Sequence, residues 1–200
     1  MSYKAVSKVD SRLAPEMSNK NADSTVLDTY YGSRMQLAAS QGDLTLVKSL
    51  VAEGADVNAR GGFFGNPLQA AALHGHQEVL QELIHCGADT KSQEGPYGSA
   101  LQAACLRGHM SAAKLLLQHG ADVNLQGGYY NSALQAAAFA GRTDLVLMLL
   151  NYGADVNLRG GDYESALNVA QLRGWEDIVK ILVNAGAVAQ EANTLARSHG

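Results

Sequence analysis

Apolar residues come in short, evenly spaced bursts along this chain. Leu46, Val47 and Leu50 form the first, with Lys48 and Ser49 polar between them. Val79, Leu80 and Leu83 form the next, around Gln81 and Glu82. Ala112, Ala113 and Leu116, then Leu145, Val146 and Leu149, then Ile178, Val179 and Leu182 complete the set. Positions i, i+1 and i+4 lie on one side of an α-helix, so each burst predicts a helix with one buried stripe. The column Lys48, Gln81, Lys114, Leu147, Lys180 falls on the solvent side and is polar except at Leu147. Glu78, Asp144 and Asp177 stand near the helix starts, where the dipole favours an anion. Burying each stripe residue contributes roughly 1.5–3 kcal/mol, provided a neighbour covers it.

The neighbour is another copy of the same unit. Each burst lies 33 residues beyond the last, and Gly-Ala-Asp keeps the same step at 54–56, 87–89, 120–122 and 153–155. Leu68, Leu101, Leu134 and Leu167 share a column that Met35 heads, and three of these leucines begin Leu-Gln-Ala-Ala. A fixed period of this size marks stacked units that bury a common core. The units run 28–60, 61–93, 94–126, 127–159 and 160–192. Each predicts two helices, at about Asn66 to Leu73 and Gln77 to His85 in the second unit. The first is alanine-rich, so a neighbouring helix can approach closely. Glycines stop both, for example Gly75 after the first and Gly87 after the second, and they recur in every unit. A glycine just past a helix end takes the left-handed conformation without a Cβ penalty. The predicted class is all-α, a solenoid of five helix-turn-helix units joined by finger-like turns.

A 33-residue unit that closes with Gly-Ala-Asp-Val-Asn and carries Gly-His between its helices (Gly75-His76, Gly108-His109) resembles the ankyrin repeat, over about residues 28–187. The family's Thr-Pro-Leu-His is here Asn66-Pro67-Leu68-Gln69, then Ser-Ala-Leu-Gln twice, then Ser165-Ala166-Leu167-Asn168. Ser or Asn can still cap the first helix, and Gln stands where the family's histidine makes its contact. His76 and His109 look like the family's interhelix histidines, which bond to backbone. The Gly-Gly-aromatic-aromatic fingers with Leu-Gln-Ala-Ala helices are similar to ankyrin arrays of filamentous fungi, which often form the C-terminal part of large nucleotide-binding signalling receptors. The resemblance implies non-covalent recognition of a protein, in a concave groove lined by finger tips and the exposed ends of the first helices.

Two columns run through the fingers. Tyr31, Phe64, Tyr97, Tyr130 and Tyr163 make one column aromatic in all five units. Such regularity argues for a structural ladder, each ring against the next finger. The adjacent column, Tyr30, Phe63, Pro96, Tyr129, Asp162, varies, as a recognition surface on a rigid support does. Carried over by register, the partner-contacting residues are Tyr30, Phe63, His74, Arg107, Tyr129, Asn131, Phe139, Asp162, Glu164 and Arg173. Thr29, Gln41, Leu73, Pro96, Leu106 and Leu172 lie beside them. Aromatics and arginine are the usual anchors of interfaces, although single exposed apolar residues are ordinary on any surface. The tips are aromatic in units one, two and four, while unit five offers Asp162 and Glu164 beside Arg173. The partner is therefore expected to bury apolar groups at the N-terminal end and make polar contacts at the other.

Composition narrows the function further. Charged residues make up 17% of the 200 and the net charge is −4. That is too little charge, of the wrong sign, to hold nucleic acid or an anionic membrane by bulk electrostatics. No apolar run is long enough to cross a bilayer, and the polar first 25 residues lack the apolar stretch of a signal peptide. The two cysteines, Cys86 and Cys105, have no metal or redox spacing, so an intracellular setting, cytoplasmic or nuclear, is expected. Cys105 shares a column with Ala72 and Ala138 and reads as core; Cys86 reads as partly exposed. The histidines form no converging ligand set. The fingers do not run into Gly-Lys-Ser/Thr as a phosphate loop would. Asp56, Asp89, Asp122 and Asp155 recur with the turn after the second helix, whereas a catalytic carboxylate need occur only once. No catalytic, cofactor or metal site is expected. Competing readings are a non-catalytic accessory subunit of an enzyme and a structural spacer in a larger protein. Residues 1–27 read as a disordered lead-in or linker, and 193–200 as a tail. The stretch after Ala187 reads as a short helix covering the last unit's exposed face. A monomer, or part of a larger chain, is expected.

Overall fold

The computed structural model describes residues 32–188, and within them ten helices run in five pairs. The first helices are α1 (Arg34–Gln41), α3 (Pro67–His74), α5 (Ala100–Arg107), α7 (Ala133–Phe139) and α9 (Ala166–Arg173). The second helices are α2 (Leu44–Ala52), α4 (Gln77–His85), α6 (Met110–Gln118), α8 (Thr143–Asn151) and α10 (Glu176–Asn184). First helices stack on first helices, second on second, and each pair packs internally. The described residues hold no strand; isolated bridges at Gly61–Gly65, Glu94–Gly98 and Gly127–Asn131 close three fingers. The all-α solenoid expected from the period is the fold observed. The N-terminal stretch 1–27, the tail 193–200 and the helix expected after Ala187 fall wholly or almost wholly outside the described residues.

Each first helix begins on a capping side chain. Ser33, Asn66, Ser99, Ser132 and Ser165 accept the backbone N–H three residues on, at 2.8–3.2 Å. This satisfies one of the donors that a helix start leaves open. Pro67 stands at the first position of α3, where its missing N–H costs nothing. The second helices bury most of the predicted stripe: Leu50, Leu83, Leu116, Leu149 and Leu182 are all at most 3% exposed, while Leu46 and Val179 are half-buried. Leu147 faces solvent, as its column requires. Alanines 38, 39, 71, 72, 103, 104, 137 and 138, fully buried, let the first helices approach one another.

Successive units are joined by three ladders of hydrogen bonds. In the first, a buried glutamine reaches the next finger. Gln69 Nε2 donates to the carbonyls of Glu94 (3.0 Å) and Gly98 (2.7 Å). Gln36 does the same to Gly61 and Gly65, Gln102 to Leu125, Gly127 and Asn131, and Gln135 to Leu158 and Gly160. In the second ladder, Asn58, Asn124 and Asn157 each donate to the glycine carbonyl that follows the next second helix. Their Oδ1 atoms accept from Asp89, Asp155 and Val188 N–H. Lys91 interrupts this ladder, and Thr90 Oγ1 takes over the carbonyl contact, to His119. The recurring aspartates bend the same turn: Asp56, Asp89, Asp122 and Asp155 each accept the N–H two residues on.

The third ladder sits between the helices of each pair. His76 Nε2 lies 3.0 Å from the Ser40 carbonyl, and His109 Nε2 lies 3.2 Å from that of Leu73. Arg142 and Trp175 donate from the same column to Arg107 and Phe139 carbonyls. A carbonyl only accepts, so each histidine carries its proton on Nε2. Burial holds the His109 imidazole below its ordinary value of 6.5, with the charges of Arg107, His76 and Arg142 acting the same way against the Leu73 hydrogen bond. The neutral form is thus favoured by the fold. Below pH 6.5 the unfolded chain takes up this proton before the folded one does. Stability therefore falls on acidification through that window and levels off below the folded value. In urea unfolding between pH 7.5 and 5, His109→Gln is expected to show a shallower loss than the parent; equal slopes would remove His109 from the account.

Candidate functional site

The fingers project between the helix pairs, and their shape comes from backbone bonds. Gly61, Glu94, Gly127 and Gly160 donate their N–H groups to the carbonyls of residues 65, 98, 131 and 164, at 2.9–3.0 Å. The glycine pairs supply left-handed angles, with φ 60° at Gly62, 64° at Gly128 and 69° at Gly161. A further left-handed position follows the aromatics: Gly32, Gly65 and Gly98, then Asn131 (φ 61°) and Glu164 (φ 63°). Neighbouring fingers are also sewn together, Tyr129 N–H to the Pro96 carbonyl (3.0 Å) and Asp162 N–H to that of Tyr129 (3.4 Å).

The regular aromatic column packs inward. Phe64, Tyr97 and Tyr130 are buried and Tyr163 is half-buried; Tyr31 lies outside the described residues. Tyr130 and Tyr163 stack at 6.3 Å with an interplanar angle of 6°. Between the second and third fingers, the contact is made instead by Phe63, edge-on to Tyr97 at 5.6 Å. The ring ladder therefore zigzags between the two columns.

The residues expected to meet a partner divide into three groups. His74, Arg107, Asp162, Glu164 and Arg173 are exposed. Phe63 and Tyr129 are half-buried at the finger tips, and Asn131 is half-buried with its Nδ2 on the Arg159 carbonyl at 3.0 Å. Tyr30, like Thr29, lies outside the described residues. Phe139 is a correction: it is only 5% exposed, wedged between Tyr130 (4.9 Å) and Tyr163 (5.3 Å), with the Arg173 guanidinium 4.4 Å above its ring. Leu73 is a second correction, at 2% exposed. Asn131 and Glu164 also prove to hold the left-handed turn position that glycine fills in the earlier fingers. Their recurrence at 33-residue spacing with Gly32, Gly65 and Gly98 is the signal that would have shown it.

Two aromatic clusters result, the second with a guanidinium over one ring. One joins Phe63, Phe64, Tyr97 and His74, whose ring also stacks near His76 at 6.0 Å. The other joins Tyr130, Phe139, Tyr163 and Arg173. Both fix fingers to first helices, so the finger side is a stiff surface. Cys105 is fully buried, which pushes its thiol well up. Cys86 is also raised, by burial and then by Glu82, whose carboxylate it faces at 3.8 Å. A thiol held protonated is a poor nucleophile. Among the described residues no three His, Cys, Asp or Glu side chains gather to hold a metal ion, and no helix is long and apolar enough to cross a membrane.

The family model for ankyrin repeats, built as three copies, matches residues 5–94, 35–127 and 68–160. No curated protein matches the chain.

Proposed function

Because the chain belongs to the ankyrin repeat family, whose repeats are generally protein–protein interaction modules and typically non-catalytic, we propose that it holds a partner protein along its finger side. One observation carries this reading. The inner finger column is buried at Phe64, Tyr97 and Tyr130 and half-buried at Tyr163, whereas the outer column is half-buried or exposed throughout and differs from unit to unit: Phe63, Pro96, Tyr129, Asp162. A rigid backing with a variable outer row is what specific recognition needs. His74, Arg107 and Arg173 share one register at the ends of the first helices and are exposed beside that row. Phe63 and Tyr129 offer apolar contact, and Asp162, Glu164 and Arg173 offer polar contact at the last finger. In this role the array serves as an adaptor, an inhibitor or the sensor arm of a signalling protein, the last in keeping with its likeness to fungal arrays. An intracellular setting fits its two free thiols.

The test compares two triple variants in affinity capture from source lysate. Arg107→Ala/Asp162→Ala/Arg173→Ala changes the finger side; Lys48→Ala/Lys114→Ala/Lys180→Ala changes exposed positions on the second helices. Both should keep the parent's helicity by circular dichroism. The first set is expected to weaken the retained partner by about tenfold or more and the second to leave it unchanged. Equal retention by both would favour a spacer, and loss with the lysine set would move the site to the other side.

A further inference from the structure

The turns between the helices of units two to five carry three arginines, three histidines and no Asp or Glu: His74-Gly75-His76, Arg107-Gly108-His109, Ala140-Gly141-Arg142 and Arg173-Gly174-Trp175. The chain as a whole has a net charge of −4, so this rim runs against the balance of the molecule. The fold explains part of it. His74, Arg107 and Arg173 stand in the last turns of α3, α5 and α9, where the helix dipole favours a cation. Arg142 stands at the opposite end of a helix. It is the N-cap of α8, makes no side-chain capping bond there, and brings positive charge to the positive pole of the dipole. The same column holds His76, His109 and Trp175, and each of these reaches its carbonyl without a guanidinium. The carbonyl contact therefore does not account for the charge of Arg142.

The geometry gathers the three arginines about unit four. Arg142 leans towards unit three: its Nη2 donates to the Arg107 carbonyl at 3.5 Å, and its guanidinium lies against Gly108, where a Cβ would stand 2.6 Å from Cζ. Arg173 leans back towards unit four, its guanidinium 4.4 Å above the Phe139 ring. Between Arg107 and Arg173 the row of first-helix ends is interrupted by Ala140, which carries only a methyl group. All three arginines are exposed. The acid nearest to Arg142 in sequence, Asp144, is turned to its own helix and accepts the Leu145 N–H at 2.9 Å. Like charges gathered on a surface repel one another, and a partner of opposite sign relieves that cost. The planar guanidinium matches a carboxylate with two parallel hydrogen bonds. Resting on the finger-side reading above, we propose that the partner protein presents a segment rich in Asp and Glu, whose carboxylates are held by Arg107, Arg142 and Arg173. Asp162 and Glu164, exposed on the fifth finger, repel such a segment from that tip and keep it to the row of first-helix ends.

The test titrates two labelled peptides against the intact chain by fluorescence anisotropy, at slightly alkaline pH. One alternates Asp and Glu, and the other is its Asn and Gln counterpart of equal length. The acidic peptide is expected to bind about tenfold or more tightly than the amide peptide, and to lose affinity as salt is raised. Arg142→His separates charge from structure. It installs the residue that this column carries in units two and three, so the carbonyl contact keeps a donor and the melting temperature should stay near the parent's. The charge is gone at that pH, and the acidic peptide should weaken about fivefold or more. Arg107→Gln should do the same, while Lys48→Ala/Lys114→Ala/Lys180→Ala leaves the peptide bound. If Arg142→His melts well below the parent, Arg107→Gln decides, since it leaves the Arg107 backbone carbonyl in place. Equal binding of the two peptides would overturn the proposal, as would loss with the lysine set and not with the arginine variants. Tighter binding of a single-stranded oligonucleotide of the same charge would overturn it too, because nucleic acid would then be the occupant. Failure here, with the lysate partner still lost from the finger-side triple variant, strikes the acidic segment alone; failure of both strikes the finger-side reading as well.

Discussion

Gln102→Leu is expected to cost about 3 kcal/mol of stability, although it keeps the size of a buried side chain. Gln102 is 2% exposed. Its Nε2 serves the carbonyls of Leu125, Gly127 and Asn131, and its Oε1 accepts the Ser99 N–H at 2.8 Å. Leucine returns none of these bonds, and part of the finger backbone loses its partner away from water. A buried polar group left without a partner costs about 1–3 kcal/mol, and here acceptors and a donor are affected together. Gln102→Glu sharpens the point. A carboxylate offers no donor to three carbonyl oxygens, so this variant should be unstable at neutral pH and recover as acid restores an O–H. Asn168→Ala is the control, because its side chain has no following finger to serve among the described residues; a change within about 0.5 kcal/mol is expected. Urea midpoints for the three variants decide it. If Gln102→Leu unfolds like the parent, the glutamine ladder is not what holds fingers to helices.

That ladder was half legible in the sequence. The recurrence of Gln36, Gln69, Gln102 and Gln135 was plain, and so was their register with the family's histidine. Their partners were not, because these are backbone carbonyls mainly 25 and 29 residues further on, and a carbonyl leaves no mark on side-chain pattern. The period, the glycine stops and the leucine stripe were legible for the opposite reason: each is written in residue type at fixed spacing. Phe139 shows where register misleads. Its position at the end of a first helix suggested exposure, yet Tyr130, Tyr163 and Arg173 close over it. The aromatic type of these neighbours was visible, but their convergence depends on how far one finger leans toward the next. Asn131 and Glu164 were read as recognition residues by register, as finger-tip positions. Their positive φ shows that backbone geometry had already claimed the position.

Gly128→Ala is expected to cost about 3 kcal/mol or more, whereas Gly120→Ala should cost about 1 kcal/mol. Both glycines are left-handed, φ 64° and 83°, so an alanine pays a similar conformational penalty at either. Their surroundings differ. A Cβ at Gly120 would meet nothing within 4 Å. At Gly128 it would stand 2.5 Å from Gly98 N, 2.7 Å from Tyr97 C and 2.8 Å from Gly98 Cα. These are backbone atoms of the neighbouring finger and cannot swing aside as a side chain could. The alanine must therefore push the third and fourth fingers apart, opposing the Tyr129 N–H bond to the Pro96 carbonyl and the Gln102 bonds to Leu125, Gly127 and Asn131. Since the outer row of the finger side depends on that spacing, partner binding should weaken with Gly128→Ala even at temperatures where the chain stays folded. Gly120→Ala, at the end of a second helix, should leave it intact. Urea midpoints and binding measured on both proteins separate the two causes. Equal costs would mean that left-handed backbone alone requires glycine here, and that the close approach of fingers contributes little to the array.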